Sequence, residues 1–199
     1  TTDYVTETFE QFNDIKRYWL CLPVGADCGC RMDAGTWIPW EKSKEDIWVR
    51  KMPDVEYLID ENNCPFQMYP GQQDYEVQDN FSKWYSKKFG NTAIVIGIRA
   101  DESLNRYRAI VSDRKVNGYK DKNYIVSQNK STHNAYIIYD WTVSDIWTYN
   151  SKFNKKYNKL YDLYYQAGLK VEQMRVASPF NNCGIHTLKL YKVIDPFNW

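Results

Sequence analysis

Hydrophobic positions along this chain recur at helical spacing in some segments and form short continuous runs in others. The first pattern predicts amphipathic helices, and the second predicts buried strands. The predicted helices cover 3–15, 73–89, 101–111, 142–150 and 156–167, and the predicted strands cover 18–24, 92–98 and 135–139. Strands that alternate with helices at these spacings favour an α/β fold in which a mostly parallel sheet carries helices on both faces.

Irregular chain separates these elements in two places. The segment from about 25 to 70 begins with a loop that contains glycine and cysteine (25–35). Its part 42–70 is rich in proline and charged residues and predicts one helical turn near 44–47. The segment 112–131 is polar and predicts a loop. Because no internal repeat or low-complexity segment interrupts the chain, we expect a single domain over 1–199, with the 25–70 segment as an irregular insertion.

The balance of charge limits what the protein is expected to contact. Its 199 residues carry a formal net charge of +1, so no strong positive field favours direct binding of nucleic acid. No apolar run approaches the roughly 20 residues that span a bilayer, and no signal-peptide pattern opens the chain. We therefore expect a soluble, cytoplasmic protein without membrane contact.

A burst of polar residues follows the predicted strand 92–98. In an open α/β sheet, ligands bind at the carboxyl ends of the strands. Arg99 falls in the turn, Asp101 follows it, and Ser103 and Arg106 share one face of the next predicted helix. The arginine and serine donors beside a helix N-terminus suit a phosphate or sulfate, so they form a candidate anion site, which also includes Asp101. The alternative is a capped surface helix whose charges are solvated.

The helix predicted after the last strand offers a second wall for such a site. Thr142 or Ser144 can cap it, and Asp145 lies favourably in its first turn. The alternative is a well-capped helix that packs Trp141 and Trp147 into the core.

The five cysteines are an odd number and suit reduced thiols. Cys28 and Cys30 form the only tight pair, whereas metal and iron–sulfur sites prefer two pairs at regular spacing. We expect no metal, although metal binding by this pair stays open. Cys183 lies near His186, and a neighbouring imidazole lowers a thiol pKa, which makes Cys183 a candidate nucleophile. The alternative is a thiol without a catalytic role.

Two motifs resemble the phosphoadenosine phosphosulfate (PAPS) reductase family: residues 97–106, and 138–142 followed by 145–147. Further segments are similar to the IbrA-like branch of that family, whose role is coactivation of prophage gene expression. They are 18–23, 37–40, 46–50, 157–168, 173–180 and 188–196. The resemblance covers nearly the whole chain.

This resemblance implies an adenine-nucleotide α-hydrolase-like fold that binds an adenine nucleotide, ATP or PAPS. The family's anion-site residues map onto Arg99, Ser103 and Arg106, and a later Met-Arg motif adds Arg175. The family also grips its nucleotide with an N-terminal Ser-Gly-Gly-Lys-Asp-Ser loop, the PP-loop, which this sequence does not contain. We therefore expect that the N-terminal PP-loop part of the fold is missing from this chain, and that the chain as given binds a nucleotide poorly.

Reduction in the family uses a thiolate from a C-terminal Glu-Cys-Gly-Leu-His segment, which thioredoxin later resolves. Residues 183–186 resemble that segment, but Asn182 replaces the acidic residue and a predicted helix over 187–194 follows. Two functions remain: a sulfur-handling or nucleotide-activating enzyme, and a regulatory module that acts with a ParB-like partner. The aromatic content of 17% and the irregular 25–70 segment would supply an interface for the second.

Overall fold

The computed structural model describes residues 2–28, 35–48, 50–111, 118–119, 122–174, 176, 190, 192–193 and 196–197. Its helices are α1 (Thr2–Glu10), α2 (Asp74–Phe89), α3 (Leu104–Val111), α4 (Val143–Lys152) and α5 (Leu160–Gln166). Its strands are β1 (Trp19–Leu20), β2 (Ala26–Asp27), β3 (Thr36–Trp37), β4 (Leu58–Ile59), β5 (Thr92–Val95), β6 (Gly118–Tyr119), β7 (Lys122–Ser127) and β8 (Thr132–Ala135). Two compact units result: a first unit of Thr1–Asn80 with Asn158–Trp199, and a second unit of Phe81–Tyr157.

The first unit is built on two small strand pairs. β1 and β4 are parallel, and β2 and β3 form an antiparallel ribbon. Leu22, Ile59 and Val77 are buried together and form the core of this unit. The partly buried side chains packed against them are Tyr18, Leu20, Val24, Cys64, Phe66 and Met68. Removal of this apolar surface from water is the main stabilising term for the unit.

Elements of the first unit are shorter than the sequence predicts. The helix predicted over 3–15 ends at Glu10, where the Phe12 amide closes a turn on the Phe9 carbonyl (3.3 Å). The strand predicted over 18–24 is reduced to β1, and Pro23 has no amide to extend a ladder. The 25–70 segment contains three of the short strands as well as a 3-10 helix at Lys42–Ile47, which confirms the predicted turn.

Helix α2 confirms the prediction over 73–89. Asp74 and Glu76 lie in its first turn, and Lys87 and Lys88 in its last, so that side-chain charges oppose the helix dipole at both ends. Gly90 ends the helix with φ of 91°, and its amide donates to the Ser86 carbonyl at 2.8 Å. A left-handed residue after the last turn is the usual helix terminator, and glycine adopts it without strain.

The second unit contains a four-stranded sheet in the order β5-β8-β7-β6. β5 and β8 are parallel, whereas β8–β7 and β7–β6 are antiparallel. The expectation of a mostly parallel sheet is therefore wrong for this sheet, which is mixed. The reason is the short connection at 128–131, where the Gln128 amide donates to the Thr132 carbonyl (2.9 Å). A turn of this length joins antiparallel strands, while a parallel pair needs a long crossover.

Two further predictions in the second unit are wrong. The segment 112–131 is not simply a polar loop, because it contains β6 and β7. The strand predicted over 135–139 lies earlier, at β8, and 137–140 form turns in which the Tyr139 amide donates to the Tyr136 carbonyl (3.2 Å).

The last helices lie close to their predicted positions. The helix predicted over 101–111 is divided at Ser103 into a 3-10 turn (Ala100–Glu102) and α3. The helices predicted over 142–150 and 156–167 are α4 and the shorter α5. Within the described part of the chain, no helix has the length and apolar character that a membrane crossing requires.

Candidate functional site

The candidate anion site begins where two parallel strands end. β5 pairs with β8 from Thr92↔Thr132 to Val95↔Ala135. Past the strands, the Ile96 amide donates to the Ala135 carbonyl (2.9 Å), and the Ala100 amide donates to the Tyr139 carbonyl (2.8 Å). The two segments that leave the strands therefore stay side by side, and the residues from Arg99 and from Asp140 onward form the site.

Two guanidinium groups share one carboxylate at this edge. Arg99 places Nε 3.5 Å from Glu102 Oε1, and Arg106 places Nε 3.9 Å from Glu102 Oε2. The Arg99 side chain is 14% exposed and that of Arg106 is 52% exposed. Sequence reasoning predicted both arginines but missed Glu102. Its i+3 spacing from Arg99 and i−4 spacing from Arg106 is the signal that would have found it.

Asp101 connects Arg99 to the start of α4. Its Oδ2 atom accepts hydrogen bonds from Arg99 Nη1 (3.3 Å) and from the Val143 amide (3.0 Å). The predicted second wall, the N-terminus of α4, therefore does contact the arginine segment. A carboxylate oxygen now occupies the position between these two donors.

Ser103 caps α3 and does not share a helical face with Arg106. Its backbone is extended (φ −171°), and its Oγ atom accepts a hydrogen bond from the Arg106 amide at 3.2 Å. This is the contact of an N-cap serine. Because that contact uses a lone pair of the oxygen, the hydroxyl proton is left to donate to an anion.

The site is formally neutral. Arg99 and Arg106 contribute two positive charges, and Asp101 and Glu102 contribute two negative charges. Planar guanidinium groups match the oxygens of phosphate and sulfate in pairs. The arrangement can therefore bind an anion whose oxygens take the place of the carboxylates.

Helix α4 is fixed by a capping box. The Thr142 amide and hydroxyl donate to Asp145 Oδ2 at 2.7 and 2.8 Å, and the Asp145 amide donates to Thr142 Oγ1 at 3.3 Å. The Thr142 backbone and side-chain hydrogen bonds hold the pKa of Asp145 below its ordinary value of 3.8. Of the two predicted caps, Thr142 and Ser144, the structure has Thr142 at the N-cap.

A shallow cavity of about 390 Å³, widely open to solvent, borders the same helix. Trp141, Tyr149 and Phe153 line it, with the Trp141 and Tyr149 rings 5.7 Å apart and the Tyr149 and Phe153 rings 4.8 Å apart. Aromatic faces of this kind stack on a planar ring. Asp145 also lines the cavity, so the cavity begins at the capped end of α4.

Three sequence candidates, Arg175, Cys183 and Cys30, lie outside the described residues. Cys28, the described member of the tight pair, is partly exposed. In the part of the chain that the structure describes, no three His, Cys, Asp or Glu side chains are grouped as metal ligands would be.

A second cavity, about 670 Å³, lies in the first unit and was not predicted as a site. We term it the first-unit cleft; Trp40, Trp48, Met52 and Cys21 supply its less polar wall, and charged side chains supply the rest. Cys21 is 1% exposed, and burial raises the pKa of its thiol to about 11. This thiol is neutral near pH 7 and is not a nucleophile.

Comparison with known proteins identifies two matching regions. Residues 48–167, more than half of the chain, match the phosphoadenosine phosphosulfate reductase domain. Residues 168–199 match a domain of unknown function, DUF3440. Uncharacterized protein YbdN of Escherichia coli (strain K12) is 36% identical over 203 residues, which cover 100% of this chain and 48% of YbdN. The chain thus spans about half the length of that relative, and no solved structure matches it.

Proposed function

Because this chain belongs to the phosphoadenosine phosphosulfate reductase domain family, we propose that its second unit binds the phosphosulfate group of an adenine sulfonucleotide through Arg99, Ser103 and Arg106. Family membership implies an adenine-nucleotide α-hydrolase-like α/β fold and a function connected with nucleotides or sulfonucleotides. The observation that carries the proposal is the convergence of two guanidinium groups on Glu102 beside the parallel strands.

Binding exchanges internal carboxylates for ligand oxygens. A phosphate or sulfate oxygen that replaces Asp101 Oδ2 meets the same two donors, Arg99 Nη1 and the Val143 amide. A second oxygen replaces a Glu102 oxygen between Arg99 and Arg106. The Ser103 hydroxyl supplies a further donor. The carboxylates thereby lower the affinity for weak anions and favour a ligand with more charge and several oxygens.

The aromatic cavity along α4 is our candidate for the adenine ring. It belongs to the same unit as the arginines, and Trp141 and Tyr149 present adjacent rings there. Base stacking on such rings contributes about 1–3 kcal/mol. Because this stacking involves only the adenine ring, it does not require the sulfate group or its reduction.

The reaction itself is proposed from motif resemblance. Arg99, Asp101, Ser103 and Arg106 lie within the matched reductase domain, whereas Arg175 and Cys183 lie in the region matched by DUF3440. In the oxidoreductase version of our proposal, the Cys183 thiolate attacks the sulfur, the S–O bond to the phosphate breaks, and the adenosine phosphate leaves while a thiosulfonate forms on Cys183. A thioredoxin dithiol then attacks the Cys183 sulfur, releases sulfite and is oxidised to its disulfide, and Arg175 adds an anion contact. In the IbrA-like version, the nucleotide site serves a regulatory protein with a ParB-like partner.

Isothermal titration calorimetry with adenylyl sulfate, PAPS and ATP tests the binding proposal. Arg106→Ala removes one of the two guanidinium groups of the site. It should weaken the binding of each ligand about tenfold or more, which is the loss of affinity expected when a charged hydrogen bond is removed. Arg108→Ala is the matched control, because Arg108 is exposed on the same helix. We expect less than about twofold change there, since exposed charges without a ligand contact contribute little.

The ligands are titrated to millimolar concentration, because without the PP-loop the chain is expected to bind a nucleotide weakly. Absence of heat with all three ligands at that concentration, or equal losses in the two variants, contradicts the proposal. With reduced thioredoxin supplied as the electron donor, Cys183→Ser separates the two versions. Loss of sulfite release with binding intact supports the oxidoreductase, and binding without sulfite release in the wild type supports the regulatory role.

A further inference from the structure

The first-unit cleft contains an aromatic wall held by its own backbone. Trp40 and Trp48 meet edge to face with ring centroids 5.2 Å apart and planes at 77°. Trp48 Nε1 donates to the Glu41 carbonyl at 3.1 Å, which fixes the orientation of the indole. Trp40 has φ of 60°, a left-handed backbone that a bulky residue rarely adopts. Local contacts therefore hold both rings at the cleft.

A cation already lies on this wall. Lys42 Nζ is 5.8 Å from the centroid of the Trp48 ring and 2.5 Å from Glu45 Oε2. The Lys42 side chain is 74% exposed and that of Glu45 is 53% exposed. Exposed pairs of this kind are held weakly, so the Lys42 ammonium is displaceable. Its position marks where another ammonium group would bind.

The charges around the cleft favour a cation. Carboxylates are contributed by Glu45, Asp46, Asp60 and Glu61, and positive charges by Lys42, Arg50 and Lys51. When Lys42 moves aside, four carboxylates face two positive groups. The Cys21 thiol adds no charge, because burial keeps it protonated. Ammonium groups are attracted both by this excess of carboxylates and by the face of an indole ring.

We propose that the first-unit cleft is a binding site for a small organic ammonium cation, which takes the place of the Lys42 ammonium on the Trp48 ring. The cleft volume of about 670 Å³ lies in the range of small-molecule sites. The ligand is an alkylamine whose charged end lies on Trp48 and whose apolar part contacts Met52 and Trp40. None of its lining residues belongs to the anion site in the second unit.

The test uses n-butylammonium chloride, which reproduces the end of a lysine side chain, with the full chain and NMR detection. The indole N–H signal of Trp48, assigned by its loss in Trp48→Phe, should shift in a saturable way. Lys42→Ala vacates the ring and should tighten binding about tenfold, a change within the range of cation–π energies. Lys44→Ala is the matched control, since Lys44 pairs with Glu41 instead, at 2.5 Å.

Trp48→Leu should weaken binding of the ammonium cation about tenfold, and binding to this variant is followed through the Trp40 indole signal. Trp48→Phe keeps an aromatic ring face and should retain most of the affinity. The proposal is overturned if Lys42→Ala binds no more tightly than Lys44→Ala. It is also overturned if sodium chloride at the same concentration produces the same shifts.

Discussion

The Arg99 guanidinium is held by two carboxylates of its own segment, Asp101 and Glu102, and these set the condition for anion binding. To bind Arg99, a ligand must form hydrogen bonds and charge interactions with the guanidinium group that are at least as favourable as those of Asp101 and Glu102. Because the Arg99 side chain is 14% exposed, its contacts are screened less by solvent than those of a surface arginine. The segment 99–106 therefore contains both the donors for an anion and the carboxylates that compete with the anion for those donors.

Asp101→Asn should raise the affinity for adenylyl sulfate about tenfold, since it removes a charged competitor for Arg99. The asparagine oxygen still accepts from the Val143 amide, so the start of α4 is retained. Calorimetry at fixed ionic strength measures the change. Asp54→Asn is the control, because it removes the same charge from an exposed residue that lines neither the anion site nor the aromatic cavity. An equal rise in both variants would refute direct competition by Asp101.

Much of the site was predictable at this scale, and part was not. The positions of Arg99 and Arg106 after an apolar run predicted an anion site, and the structure brings both to one carboxylate. The contact of Asp101 with Val143 spans 42 positions in sequence. No local spacing predicts such a contact, because it depends on how the ends of β5 and β8 align.

Two loops of the first unit approach each other closely at Gly25, so that a side chain there would destabilise the unit. A Cβ atom on Gly25 would lie 2.6 Å from the Gly71 carbonyl oxygen, and the Gly25 amide donates to the Gln72 carbonyl at 2.8 Å. Gly25→Ala should lower the free energy of unfolding by about 1–3 kcal/mol, since backbone must move. Urea denaturation measures the loss.

The control for that substitution is Gly97→Ala. A Cβ atom there would lie 3.9 Å from Ile138 Cδ1, an ordinary contact. We expect a change within about 0.5 kcal/mol. A larger loss at Gly97 than at Gly25 would contradict this account of the two positions.

The capping box of α4 predicts a defined dependence on pH. The folded-state pKa of Asp145 lies below its ordinary value of 3.8, so its contribution to stability is present above that value and is lost as pH falls through the folded pKa. The difference in Tm between wild type and Asp145→Asn should therefore be largest above about pH 5 and narrow on acidification. A difference that stays constant with pH would contradict the role of this carboxylate.

Elements with strong local signals were predicted, and those that depend on distant partners were not. Helix α2 has charges of the right sign at both ends and Gly90 as its terminator, so local sequence specifies it. Strand β7 contains Tyr124, Ile125 and Val126, which favour a strand, but polar neighbours suggested a loop. Its pairing with β8, from Ile125↔Ala135 to Ser127↔His133, decides the outcome.

At the scale of the whole molecule, the residues proposed to bind the anion and the proposed nucleophile lie in different matched regions. The reductase domain match covers 48–167 and includes the four candidate anion-site residues of the second unit. The match to DUF3440 covers 168–199 and includes Cys183. YbdN is about twice as long as this chain. The activity of the whole protein is therefore a separate proposal from anion binding by the second unit.

NMR of the arginine side chains tests the central claim most directly. The Nε–H signals of Arg99 and Arg106 are followed while adenylyl sulfate is added at constant ionic strength, with Arg108 as the internal reference. We predict saturable shifts of the Arg99 and Arg106 signals with one common affinity, and no shift of Arg108. Unchanged Arg99 and Arg106 signals, or equal shifts of all three, would contradict the claim that this pair binds the phosphosulfate group.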